Sequence, residues 1–141
     1  MAKATVETYK KLKYFSIDEN WGDPLQMEQE LLFKLDALRA LVGRPIVIHC
    51  GYAKDGHTEN SQHYLGRAVD VHIVGMDLLS QFLAAERFDF TGIGLYPFWS
   101  NPGLHLDVRT LGKNVPSARW YFWNDNQYHS IDKRLLKHIS N

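Results

Sequence analysis

The chain has 141 residues and a mass of 16.3 kDa, a length that suits one domain with a single core. Its 45% hydrophobic and 23% charged residues exclude disordered, collagen-like and low-complexity classes. Sixteen basic residues balance sixteen acidic ones, so no long-range attraction to nucleic acid or to an anionic membrane is expected. We therefore expect one domain over residues 1–141, a monomer that holds any ligand with local groups.

Targeting signals and cysteine content limit where the chain is made. Residues 1–16 lack the continuous apolar run of a signal peptide, and no stretch of about 18 apolar residues occurs elsewhere. The single cysteine, Cys50, excludes an internal disulfide and a CxxC site, and predicts a small buried apolar side chain. These features predict synthesis in the cytoplasm without a signal peptide.

Three helices are predicted from apolar periodicity. In residues 25–42 apolar side chains recur at spacings of three and four, with Asp23 as the cap and Gly43 at the end. Shorter helices are predicted after Asp77, which can cap residues 78–84, and over residues 131–139. Each of these helices has an apolar face with which to cover a sheet.

Five strands are predicted from β-branched runs, alternating polarity or aromatic content. Several connections are too short for parallel crossovers, which predicts an α+β fold with a central antiparallel sheet packed by helices. The aromatic residues of the last strand, and Tyr128 after it, are predicted to lie in the core, with an aromatic platform for sugar rings as the alternative. The predicted strands are residues 46–50, 67–74, 90–96, 104–108 and 119–123.

Polar side chains share one face of two predicted strands, opposite an apolar face. Such side chains are costly to bury unless they find partners, although any one of them by itself could be purely structural. Two imidazoles and one carboxylate with an open fourth position form a catalytic zinc site, which holds water and polarises a carbonyl. The residues that can supply this set are His63, Asp70 and His105.

The stretch Ser61, His63, Gly66, Ala68 and Asp70 resembles the S-x-H-x-x-G-x-A-x-D signature of the zinc D-Ala-D-Ala carboxypeptidase family. These peptidoglycan carboxypeptidases and endopeptidases share their fold with the hedgehog signalling domain. The similarity spans residues 45–120 and is closest to small, phage-associated members. It implies a zinc ion and peptidoglycan peptide stems as substrate. The zinc ligands that it implies are His63, Asp70 and His105.

The substrate-binding pattern departs from that family at one position. Many relatives carry an arginine directly after Gly-Tyr, placed to bind a substrate carboxylate. This chain has Ala53 followed by Lys54, which offers charge without the bidentate fork of arginine. Substrate contacts are predicted for Lys54, Ser61 and Arg109, with a purely loop-shaping role as the alternative for Ser61.

The position of the catalytic carboxylate also differs from that in the family. Many relatives place it three residues before the last histidine, where this chain has Pro102. Asp107 lies on the same strand face as His105 and is predicted to replace it, by activating water or protonating the leaving amine. The alternative is that Asp107 orients His105 or pairs with Arg109.

The leading hypothesis is a zinc metallopeptidase that cuts an amide bond in peptidoglycan stem peptides, as a D-Ala-D-Ala carboxypeptidase or an endopeptidase. Such a phage or prophage lysin would reach the cell wall after lysis or by phage delivery. Ala53 and Pro102 support an alternative, an inactive zinc-containing binding module. A phage structural component of the same fold and a zinc hydrolase with another substrate are further alternatives.

Overall fold

A six-stranded sheet forms the centre of the molecule in the computed structural model, which describes residues 2–140. The α+β class is confirmed. The strands are β1 (Ile46–Cys50), β2 (Ala68–Ile73), β3 (Gly92–Tyr96), β4 (Gly103–Asp107), β5 (Ala118–Phe122) and β6 (Tyr128–Ser130). The helices are α1 (Val6–Lys11), α2 (Gln29–Val42), α3 (Leu78–Ala85) and α4 (Lys133–Ile139). Within residues 2–140, no helix has the length and apolarity needed to cross a membrane.

The sheet order is β1-β2-β4-β3-β5-β6. Neighbouring strands are antiparallel, as the sequence predicts, except that β3 and β5 run parallel. This parallel pair needs no helical crossover because β4 reverses the chain first. Gly92 at the start of β3 pairs with both Asp107 at the end of β4 and Ala118 at the start of β5. A short connection from the end of β4 to the start of β5 is therefore sufficient.

Helix α2 begins later than the sequence pattern predicts. Asp23 caps a separate 3₁₀ turn, Pro24–Gln26, by accepting a hydrogen bond from the backbone N–H of Leu25 at 3.0 Å. The α-helix starts at Gln29, and Gly43 ends it in the left-handed conformation with φ 64°. Its buried residues are Leu31, Leu32, Leu35 and Leu38. The predicted cap of α3 is correct, since Asp77 accepts a hydrogen bond from Ser80 N.

The two faces of the sheet have different environments. One face carries apolar side chains of β1 to β5 into a core shared with the helices. The opposite face carries a row of aligned positions, because the register pairs Asp70 with His105, His105 with Gly94, and Gly94 with Trp120. Residues that are far apart in the chain therefore lie side by side across four strands.

A 3₁₀ turn, Gln62–Leu65, presents His63 to that polar face, and Gly66 ends the turn. Gly66 has φ 68°, a left-handed conformation that favours glycine. Its carbonyl accepts a hydrogen bond from Glu28 N at 2.9 Å, and a Cβ built on it would overlap the backbone carbonyl of Gln26. The glycine of the signature is thus required by its φ and by a close backbone approach.

We expect Gly66→Ala to lower the free energy of unfolding by at least about 3 kcal/mol, because left-handed strain adds to steric overlap. Gly43→Ala is the matched control, since Gly43 has φ 64° but a Cβ there would meet nothing within 4 Å. Gly43→Ala should lower the free energy of unfolding by only about 1 kcal/mol. Urea unfolding of both variants measures the difference, and equal losses would contradict a steric role for Gln26.

Candidate metal centre and cleft

Three potential metal ligands meet at the floor of an open cleft of about 820 Å³. Asp70 Oδ1 lies 3.2 Å from His63 Nε2 and 3.3 Å from His105 Nδ1. The three ligand atoms lie within 4.8 Å of one another, and both imidazoles are buried. His63 comes from the 3₁₀ turn, Asp70 from β2 and His105 from β4. The fold thus brings the three predicted ligands together.

The partners of the two imidazoles determine which ring nitrogen faces the cleft. His63 Nδ1 lies 2.8 Å from the carbonyl oxygen of Gly51, which can only accept, so this nitrogen carries the proton. His105 Nε2 similarly donates to Asp107 Oδ2 at 2.8 Å. In the neutral form of each ring, the nitrogen with the free lone pair is therefore the one that faces Asp70, His63 Nε2 or His105 Nδ1. This donor set fits a divalent metal ion with imidazole and carboxylate ligands.

Asp107 lies behind His105, on the side away from Asp70. Its side chain is fully buried and accepts hydrogen bonds from Arg109 Nε at 3.0 Å and Arg109 Nη2 at 2.6 Å. It is not among the residues that line the cleft. A Cβ at Gly92 would overlap its carboxylate, so the first glycine of the Gly92-Ile93-Gly94 stretch makes room for it. This placement corresponds to the orienting role that the sequence left as the alternative.

The charges around Asp70 stabilise one another when no metal is bound. Burial lowers the pKa of His63, but hydrogen bonds to Asp70 and Cys50 outweigh it and raise this pKa to about 10. Burial raises the pKa of Asp107, but hydrogen bonds from His105 and Arg109 outweigh it and lower this pKa to about 2. The pKa of Asp70 is also lowered, by both histidines against the effect of burial.

The predicted substrate residues have different placements. Ser61 lines the cleft, and its hydroxyl accepts a hydrogen bond from His63 N at 3.2 Å, which shapes the turn. Arg109 also lines the cleft, with its guanidinium 5.0 Å from the ring centroid of Trp120. Lys54 is exposed and lies outside the cleft lining.

Aromatic side chains form one wall of the cleft. Alternation along β5 buries Tyr121 in the core but turns Trp120 to the polar face, where its ring centroid lies 5.1 Å from that of His105. Gly94 leaves room for this ring. The predicted core location is therefore right for Tyr121 and wrong for Trp120 and the exposed Tyr128. The wall residues are Tyr96, Trp99, Trp120 and Tyr128.

Cys50 differs from its predicted buried apolar role. The pairing of β1 with β2 shifts by one residue between Ile48 and Cys50, a β-bulge that places Cys50 opposite Asp70. Without the bulge, strict alternation would turn Cys50 into the core with Ile48. The half-buried thiol instead lies on the polar face, next to His57 and His63. Nothing in the strand's alternation signals this change.

A family model described as "Peptidoglycan L,D-endopeptidase MepK" matches residues 3–113. The chain belongs to this peptidase family. The resemblance to peptidoglycan peptidases is thereby confirmed, and the matched segment contains the three predicted metal ligands. A Haemophilus influenzae protein described as "Probable peptidoglycan L,D-endopeptidase MepK" is 27% identical over 113 residues, or 70% of this chain. The chain spans 60% of the length of that relative.

We expect the metal-free protein to lose stability as the pH rises from 6.5 to about 10, because folding raises the pKa of His63 between these values. A pKa raised by folding stabilises the protein below its unfolded value, and this contribution disappears above the folded value. His63→Gln should make the free energy of unfolding depend less steeply on pH in this range. His129→Gln is the control, since His129 stacks on Tyr121 on the core side of the sheet.

Urea unfolding in a chelator at several pH values measures the slope. A profile that is flat over this pH range would contradict a protonated His63 in the metal-free protein.

Proposed function

We propose that this chain is a zinc-dependent endopeptidase that hydrolyses an L,D peptide bond in cross-linked peptidoglycan stems. The observation that supports it most is the convergence of His63, Asp70 and His105 in a chain of this peptidase family. The family description and the name of the relative supply the substrate and bond type. Delivery to the wall by lysis or phage stays a prediction.

The three residues divide the work of holding the ion. His63 Nε2, Asp70 Oδ1 and His105 Nδ1 would bind zinc and leave a position open towards the cleft. A zinc ion there would supply Lewis acidity for activating water and polarising the scissile carbonyl. Gly51 and Asp107 hold the two imidazoles in the tautomers that this requires. Asp107 thus acts as a positioning residue.

A proton carrier has to reach the cleft. Among the described residues that line it, the carboxylates are Asp70 and Glu59. Since Asp70 is assigned to the metal, Glu59 on the exposed loop is the remaining carboxylate that can exchange protons with water or with the leaving amine. We therefore assign the acid–base role to Glu59 and not to Asp107, which is buried behind His105.

The charge in the cleft favours an endopeptidase over a carboxypeptidase. A carboxypeptidase needs a cation for the terminal carboxylate of its substrate. Among the described lining residues, Arg109 is the one with a permanent positive charge, and its Nε and Nη2 already bond to Asp107. Lys54 lies outside the lining. An open cleft without an uncommitted cation suits the interior of a cross-link.

Two features can position a peptide stem. The aromatic wall, with Trp120 beside His105, offers an apolar surface for alkyl side chains. Gln62 also lines the cleft, and its buried Oε1 has no hydrogen-bond partner within residues 2–140. Rotation of the Gln62 side chain into the cleft would let a substrate amide N–H bond to this oxygen, since an unpaired buried acceptor is costly.

We expect about one zinc ion per chain in the purified protein, and cleavage of cross-linked muropeptides at an L,D bond. His63→Ala and Asp70→Ala should abolish both, while His129→Ala should keep both. Elemental analysis and mass spectrometry of the digested muropeptides measure the two properties. Stoichiometric zinc with no cleavage would favour the inactive binding module instead. Absence of zinc after resupply would contradict the proposal.

Variants of Asp107 and Glu59 separate positioning from proton transfer. Asp107→Asn should weaken zinc binding about 10–100-fold, because His105 loses its charged partner. Glu59→Gln should keep normal zinc affinity but lower kcat about 10²–10⁴-fold. Competition with a chromogenic chelator measures the affinities. Normal kcat in Glu59→Gln would rule out its assigned role.

A further inference from the structure

A second cluster of metal-binding side chains adjoins His63 on the side away from Asp70. Cys50 Sγ lies 3.5 Å from His57 Nε2 and 3.7 Å from His63 Nδ1. The ring of His57 stacks on that of His63, with centroids 4.2 Å apart. These three ligand atoms lie within 4.8 Å of one another. The proposed peptidase mechanism uses neither Cys50 nor His57.

The fold holds both additional side chains in place. The β-bulge after Ile48 turns Cys50 to this face. His57 lies on the loop before the turn, where the hydroxyl of Tyr64 donates to His57 O at 2.7 Å and accepts from His57 N at 2.9 Å. These two bonds fix the backbone of His57, and its ring stacks on His63, so the side chain already faces the cluster in the metal-free chain.

The donor set differs in chemistry from that of the first site. A thiolate and two imidazoles without a carboxylate favour thiophilic ions such as Cd²⁺ or Cu⁺, and also bind Zn²⁺. We propose that Cys50, His57 and His63 Nδ1 form a second metal site, for a thiophilic ion, that competes with the first site for His63. Binding there releases to solvent the thiol proton of Cys50 and, where both nitrogens of His63 are protonated, the proton of Nδ1.

Competition follows from the imidazole of His63. A neutral imidazole has one nitrogen with a free lone pair, so it ligates one ion at a time. When Nδ1 binds an ion, it gives up its proton and its hydrogen bond to Gly51 O, and the remaining ring proton is held at Nε2. Asp70 Oδ1, at 3.2 Å from Nε2, accepts a hydrogen bond from that proton. A thiophilic ion would therefore remove one ligand from the first site without leaving Nε2 unpaired.

The test is titration of the metal-free full chain with Cd²⁺, followed by the ultraviolet thiolate-to-metal absorption. We expect a saturable signal that Cys50→Ser abolishes and that His57→Ala shifts to at least about tenfold higher Cd²⁺ concentration. His105→Ala should retain the signal, because His105 belongs to the first site alone. A thiolate signal that is retained in His105→Ala would support the second site even if the chain is not a zinc peptidase.

Two results of this titration would overturn the proposal. The first is no thiolate signal in the unmodified chain, and the second is an unchanged Cd²⁺ affinity in His57→Ala, which would mean that the thiol binds alone. Circular dichroism of each variant confirms that it is folded. In protein loaded with one zinc ion, Cd²⁺ should release zinc as the signal rises, and zinc that stays bound would contradict the sharing of His63.

Discussion

The arrangement of the site depends on one buried charge, the carboxylate of Asp107. An ionised carboxylate without partners in the interior would cost several kcal/mol, so its hydrogen bonds from His105 and Arg109 are obligatory. They fix the ring of His105, which fixes the nitrogen that faces the cleft. The same carboxylate requires glycine at position 92, because any side chain on Gly92 would occupy the space of the carboxylate.

The two histidines of the site are oriented by different means, and this gives them different chemical freedom. His105 donates to a buried carboxylate, which keeps its cleft-facing nitrogen basic. His63 donates to a backbone carbonyl, a neutral acceptor that costs less to abandon. His63 also has possible ligand partners on both sides, with Asp70 at one nitrogen and Cys50 near the other. It is therefore the member through which a second ion can act.

Much of the fold could be predicted because its signals are local. Strand β1 matches its predicted bounds, and Gly43 ends α2 as expected. Helix α1 was missed because its six residues are too few for a periodic stripe, although Thr5 caps it through a capping box. The parallel pairing of β3 with β5 was missed because it depends on the reversal by β4, which no local pattern encodes.

The sequence by itself singled out the candidate ligands of the first metal site, since His63, Asp70 and His105 stand out by residue type, spacing and resemblance to the peptidase signature. It also determined that Asp107 shares a strand face with His105, because alternation has a period of two. Only the tertiary structure decided that Asp107 lies behind His105, that Trp120 faces the cleft, and that a bulge turns Cys50 to His63. Strand periodicity gives the face of a residue, but its neighbours depend on register, bulges and rotamers set by distant strands.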